Sequence, residues 1–76
     1  MRTVISQTMK FMKLMNYYQE RKAKAVDFDD EESAIKNIEY IAGKAGLDIA
    51  TFVAAERRDL EARRKTAAME EAILAS

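Results

Sequence analysis

The chain has 76 residues, with 13 basic and 13 acidic side chains and no Cys, His or Pro. Without Cys or His it has no disulfide, no thiolate or imidazole metal ligand and no imidazole general base. Two glycines are also too few for a phosphate-binding loop. We therefore expect a protein that is not an enzyme, with no cofactor, no metal and no small-molecule substrate. The absence of Cys fits a reducing compartment, and we expect the cytoplasm.

The size and charge pattern of the chain favour association. Residues 1–76 are expected to form a single small helical domain, which at this length buries only about 60 % of its unfolded surface. Thirteen of the apolar residues are Ala, which leaves few large apolar side chains for a core. A second copy of the chain is therefore the expected source of further buried surface. Residues 1–26 carry six basic and one acidic side chains, and residues 27–48 carry two basic and seven acidic ones. We expect a helical homodimer.

The first predicted helix covers about residues 3–21, and its apolar stripe is unusually wide. The stripe recurs at steps of three and four, and Met9, Leu14 and Tyr17 widen it beyond one face. A helix that is apolar over more than half its circumference needs contacts on two sides. Core packing, a partner-binding face and a membrane-surface helix are the three interpretations, although no segment is long enough to span a membrane. The stripe consists of Val4, Ile5, Thr8, Phe11, Met12, Met15 and Tyr18.

Partner binding by this helix would involve its larger side chains. Methionine is flexible and repacks easily against different surfaces, which suits an adaptable interface. The expected contact residues are Phe11, Met12, Met15 and Tyr18.

The second predicted helix covers about residues 31–45. An irregular linker or a short strand at residues 24–28 precedes it, and Asp29 or Asp30 is expected to cap it. The acidic run at 27–32 lacks the ligand spacing of an EF-hand, so we assign its carboxylates to the positive end of the helix dipole. Gly46 is expected to end the helix in a left-handed conformation.

The third predicted helix covers about residues 49–75, with Asp48 as its cap. Phe52, Val53 and Leu60 continue the apolar line, whereas residues 56–65 are almost all charged. Asp59 with Arg63, and Glu61 with Lys65, have the spacing of helical ion pairs. The fold class is therefore all-α, with three helices and a helix-turn-helix corner at Gly46.

One segment has a family resemblance. Residues 41–56 read IAGKAGLDIATFVAAE and resemble the helix-turn-helix of Cro and LacI-type repressors. Small Ala42, Gly46 at the turn, Thr51 and Glu56 match that pattern. The same stretch resembles the two helices of ribbon-helix-helix regulators, with residues 24–28 as the strand. Both resemblances imply a dimeric DNA-binding regulator. The residues they point to for nucleic-acid contact are Lys44, Thr51, Arg57 and Arg58.

Two functions therefore lead, and a membrane-surface helix at residues 3–21 is a third, weaker one. The first is a small regulatory binding protein, of the inhibitor or adaptor type, that contacts another protein through its apolar N-terminal helix. The alternative is the DNA-binding regulator. Neutral net charge favours the first, because DNA-binding domains usually carry a basic excess. The residues expected to face DNA bases also lack polar side chains that read base edges. They are Ile49, Ala50, Val53 and Ala54.

Overall fold

Three α-helices make up the protein. The computed structural model describes residues 2–75, with side chains from residue 7 onward, and contains no strand in that range. The helices are α1 (Arg2–Lys24), α2 (Phe28–Ala45) and α3 (Ala50–Ala75). The all-α prediction is confirmed. The side chains of Val4 and Ile5, which belong to the predicted stripe, lie outside the described part.

The connection between α1 and α2 is shorter than predicted. Helix α1 continues to Lys24 and α2 begins at Phe28, so residues 24–28 form no strand. The N-cap of α2 is Asp27, not Asp29 or Asp30. Its backbone is extended, and its carboxylate accepts a hydrogen bond from the N–H of Asp30 at 2.8 Å. The Asp30 carboxylate in turn accepts from the N–H of Val26 at 3.2 Å, an arrangement similar to a capping box.

Gly46 ends α2 in the left-handed region, with φ 70° and ψ 27°. The N–H of Leu47 donates to the carbonyl of Ala42 at 2.9 Å, and that of Gly46 donates to Gly43 at 3.4 Å. This pair of bonds is the Schellman motif, which satisfies the last carbonyls of a helix. The Asp48 carboxylate then accepts from the N–H of Ala50 at 3.1 Å, so the next helix begins at once.

Helix α2 packs against both other helices and supplies the largest share of the core. Its buried residues recur at helical spacing along one face. Tyr18 of α1 completes the core, with its ring edge-on to Phe52 of α3 at 5.4 Å between centroids. The buried residues are Leu14, Tyr18, Ala34, Ile35, Ile38, Ala42, Ile49, Val53 and Leu60.

The molecule is elongated, measuring 61 × 21 × 15 Å. Arg63 and Arg64 of α3 pair with Glu31 and Asp29 in the first turn of α2. Helix α3 therefore continues past the beginning of α2. We call residues 66–75 the C-terminal segment; it extends about 15 Å as a helix, and all its residues are exposed. None of the described helices is both long enough and apolar enough to span a bilayer.

Candidate partner-binding surface

An apolar groove of about 360 Å³ lies between the middle of α1 and the C-terminal end of α2. We call it the α1–α2 groove. Leu14 belongs to the core, and Ile41 and Leu47 are partly buried against it. The groove is therefore supported by packed side chains from two helices and the turn after Gly46. The lining residues are Lys10, Lys13, Leu14, Tyr17, Ile41, Ala45 and Leu47.

Exposed apolar side chains on α1 lie both beside the groove and on other faces of the helix. Met9 is 53 % exposed and Met12 is 60 % exposed. Met9 precedes Lys13 by four residues, so it lies on the groove side of α1. Phe11 is 40 % exposed and precedes Tyr18 by seven residues, which places it on the core side. Helix α1 therefore presents apolar side chains around much of its circumference.

The four predicted contact residues divide into two pairs. Phe11 and Met12 are exposed, as a partner contact requires. Met15 is partly buried against the core, and Tyr18 is only 1 % exposed. Tyr18 therefore cannot reach a partner in this conformation, since Phe52 of α3 covers its ring.

The hydroxyl of Tyr18 links α1 to α3. It donates to the Glu56 carboxylate at 2.7 Å, and the ammonium of Lys22 donates to the same oxygen at 3.0 Å. Burial raises the pKa of Tyr18 above its ordinary value of 10.0, and the hydrogen bond to Glu56 raises it further. Glu56, which the resemblance matched to an acidic residue after a recognition helix, therefore joins two helices here.

The residues implied by the DNA-binding resemblance are scattered and partly engaged. Arg57 forms an ion pair with Glu39, and the ammonium of Lys44 lies 5.5 Å from the centre of the Tyr40 ring. Thr51 and Arg58 are exposed, and Arg58 has no ion pair within residues 7–75.

Two residues expected to face DNA bases are instead in the core. Ile49 is 7 % exposed and Val53 is 6 % exposed, and both belong to the hydrophobic core. Their burial does not fit the exposure that the DNA-binding resemblance would require at these positions. The apolar character of residues 49–53 is thus explained by core packing.

A second charged cluster joins α2 to α3. Arg63 donates two hydrogen bonds to Glu31, at 2.8 and 2.7 Å, and one to Asp59 at 2.9 Å. The hydrogen bonds from Arg63 hold the pKa of Glu31 below its ordinary value of 4.5. Both Arg63 and Arg64 also lie within 6 Å of the centre of the Phe28 ring. These charges stabilise the fold, so they contribute little free charge to the surface.

The two lysines beside the groove differ from these paired charges. Neither Lys10 nor Lys13 has an ion pair within residues 7–75. The first acidic residue of the chain is Glu20, so no carboxylate on the first part of α1 offsets these charges. The groove therefore combines an apolar lining with positive charge at its edge. The apolar stripe of the sequence predicts Phe11 and Met12 as contact residues, which the groove does not include. It does not indicate Lys10, Lys13, Ile41 or Leu47, because their proximity depends on how α1 packs against α2.

Comparison with known proteins finds no family model, no curated protein and no solved structure that matches this chain. Within the described residues, no group of three or more acidic side chains is placed to hold a metal ion. Function is therefore inferred from the groove and its surroundings.

Proposed function

We propose that this protein is a small regulatory binding protein, not an enzyme, that acts in the cytoplasm by holding an acidic amphipathic helix of another protein. The α1–α2 groove is the proposed site. The observation that carries the proposal is an apolar groove, built on core residues, beside two lysines that have no ion pair within residues 7–75. An amphipathic helix fills such a groove with apolar side chains spaced three or four residues apart.

The charge of the surface selects the partner. Lys10 and Lys13 would face the polar flank of the bound helix, where acidic side chains are attracted and basic ones repelled. Met9 extends the apolar area beyond the groove, and its flexible side chain suits helices of different sequence. An inhibitor or adaptor role follows from binding without catalysis.

The alternative, a DNA-binding regulator using residues 31–58, is supported by one observation: Arg58 is exposed and has no ion pair within residues 7–75. Arg57 is neutralised by Glu39, and Ile49 and Val53 are buried. Phosphate contact by Arg58 would supply affinity without reading sequence. The groove therefore has the stronger support.

A synthetic peptide tests the proposed site directly. It has about 18 residues, long enough to form a helix, with Leu at positions spaced three and four apart and Glu on its polar face. Fluorescence anisotropy measures its binding to the protein. A matched peptide with Lys in place of Glu should bind at least several-fold more weakly, because it meets Lys10 and Lys13.

Protein variants localise the binding. Lys13→Glu should weaken the acidic peptide by about threefold to tenfold, as expected for reversing one charge at an interface edge. Arg58→Glu changes the net charge equally but lies on α3, so it should leave binding unchanged. Equal binding of both peptides, or equal effects of both variants, would contradict the proposed site.

A further inference from the structure

We propose that in a homodimer the C-terminal segment of a second copy occupies the α1–α2 groove, and that each copy does so to the other. The inference rests on the proposed function, because it names one occupant of the same groove. Another protein would then have to displace this segment before it binds.

The C-terminal segment has the chemistry that the groove selects. Met69, Ile73 and Leu74 are 65 %, 67 % and 86 % exposed. Met69 and Ile73 are four residues apart and therefore share one face of the helix. Glu70 and Glu71 are the charged residues of the segment, and no basic residue follows Lys65. The segment is an acidic helix with apolar side chains exposed.

Charge complementarity supports a second copy as the occupant. Neither Glu70 nor Glu71 has an ion pair within residues 7–75, and the same holds for Lys10 and Lys13. Two unpaired carboxylates on one surface thus match two unpaired ammonium groups on another. The apolar side chains beside each pair would be buried by the same contact, which contributes the larger part of the association free energy.

The segment cannot reach the groove of its own chain. The groove lies at the C-terminal end of α2, and the segment projects beyond the N-terminal end of α2. The 18 residues of α2 separate these two places by about 27 Å, and α3 is one continuous helix between Ala50 and Ala75. The occupant must therefore come from another molecule.

A closed dimer satisfies both sites at once. The groove and the segment lie towards opposite ends of a 61 Å molecule. Two copies placed antiparallel, related by a two-fold axis perpendicular to the long axis, bring each segment to the groove of the other. The two contacts are then identical, as an isologous dimer requires.

A charge exchange between the two surfaces tests the pairing. One variant carries Lys10→Glu and Lys13→Glu, and the other carries Glu70→Lys and Glu71→Lys. In the first, an acidic groove meets acidic segments; in the second, a basic groove meets basic segments. Each variant alone should therefore dimerise about a hundredfold more weakly than the wild type, since four charge pairs per dimer are reversed.

An equimolar mixture of the two variants should recover a dimer, because each acidic groove then meets a basic segment and the reverse. Sedimentation equilibrium should give twice the chain mass for the wild type and the mixture, and the chain mass for either variant alone. The four positions are exposed, so circular dichroism should show unchanged helix content. Arg58→Glu with Lys36→Glu, a matched change of net charge elsewhere, should remain dimeric.

Other outcomes would overturn the pairing. A wild type that stays monomeric, variants that dimerise alone, or a mixture that stays monomeric would each exclude it. The acidic peptide separates this failure from that of the proposed function. Lys13-dependent peptide binding by a monomeric wild type would retain the groove and remove the second copy, whereas loss of both results would remove the groove as well. If the pairing holds, Glu70→Lys with Glu71→Lys should bind the peptide more tightly than the wild type, because its groove is vacant.

Discussion

Replacing Gly43 and Gly46 separately with Ala should change stability in opposite directions, although both substitutions add the same methyl group. A Cβ at either position meets no atom within 4 Å, so neither change creates a clash. Gly43 lies inside α2, where Ala is more favourable than Gly by about 1 kcal/mol. Gly46 has φ +70°, and an L-residue with a Cβ in this region costs about 1 kcal/mol or more. The two variants should therefore differ by about 2 kcal/mol.

Urea denaturation followed by far-UV circular dichroism, at one fixed protein concentration, measures this difference. With a slope of about 1 kcal/mol per M for a small protein, the two midpoints should lie about 2 M apart on either side of the wild type. Gly46→Asn is the control, because Asn tolerates the left-handed conformation and should lose less stability than Ala. A Gly46→Ala variant as stable as the wild type would show that backbone strain does not govern this turn. A destabilised Gly43→Ala would show that helix propensity does not govern α2.

Four further substitutions test the interhelical contacts and the alternative function. Glu31→Gln should lower stability by about 1 kcal/mol at pH 7. Because the pKa of Glu31 is lowered in the folded state, the wild type should lose this advantage as the pH falls below 4.5, as urea midpoints against pH would show. Tyr18→Phe should cost about 1 kcal/mol near neutrality. The pKa of Tyr18 is raised in the folded state, so the free energy of unfolding of the wild type should fall above pH 10. The same fall in the Phe variant would contradict this role of the Tyr18 hydroxyl. If the alternative function holds, Arg57→Ala and Arg58→Ala should weaken binding to random duplex DNA equally across sequences. Our proposal instead expects no salt-dependent DNA anisotropy from the wild type.

The helices were predictable because each leaves a strong local signal. The apolar spacing of α2 from Ala34 to Ala42 and the glycine at position 46 both depend on residues close in sequence. The beginning of α2 was less predictable, because four aspartates or glutamates in residues 27–31 have the chemistry of a cap. Asp27 is the N-cap because the backbone is extended there, and no sequence pattern distinguishes it from Asp29 or Asp30.

The site was less predictable than the fold, since it depends on which helices meet. A wide apolar stripe on the first helix indicated that some residues would stay outside the core. It did not indicate which ones, because that depends on which α1 side chains α3 contacts. Phe52 and Glu56 of α3 cover Tyr18, whereas nothing in the described chain covers Met9 or Met12 to the same extent. The groove likewise appears only when Ile41 and Leu47 are placed beside Lys10 and Lys13.

In the proposed dimer, the groove at one end of the molecule and the C-terminal segment at the other have complementary roles. Charged side chains hold the middle of α3 against α2 through Arg63 and Glu31, so the cohesion of the fold depends partly on ion pairs and less on a large core. Apolar side chains that would enlarge the core are instead exposed on α1 and on the C-terminal segment, where the chain cannot bury them itself. In the proposed dimer, association would bury both sets at once and so add to the stability of a domain that is small for independent folding. Because binding to the folded state stabilises it by mass action, the surface proposed to recognise a partner would also contribute to folding.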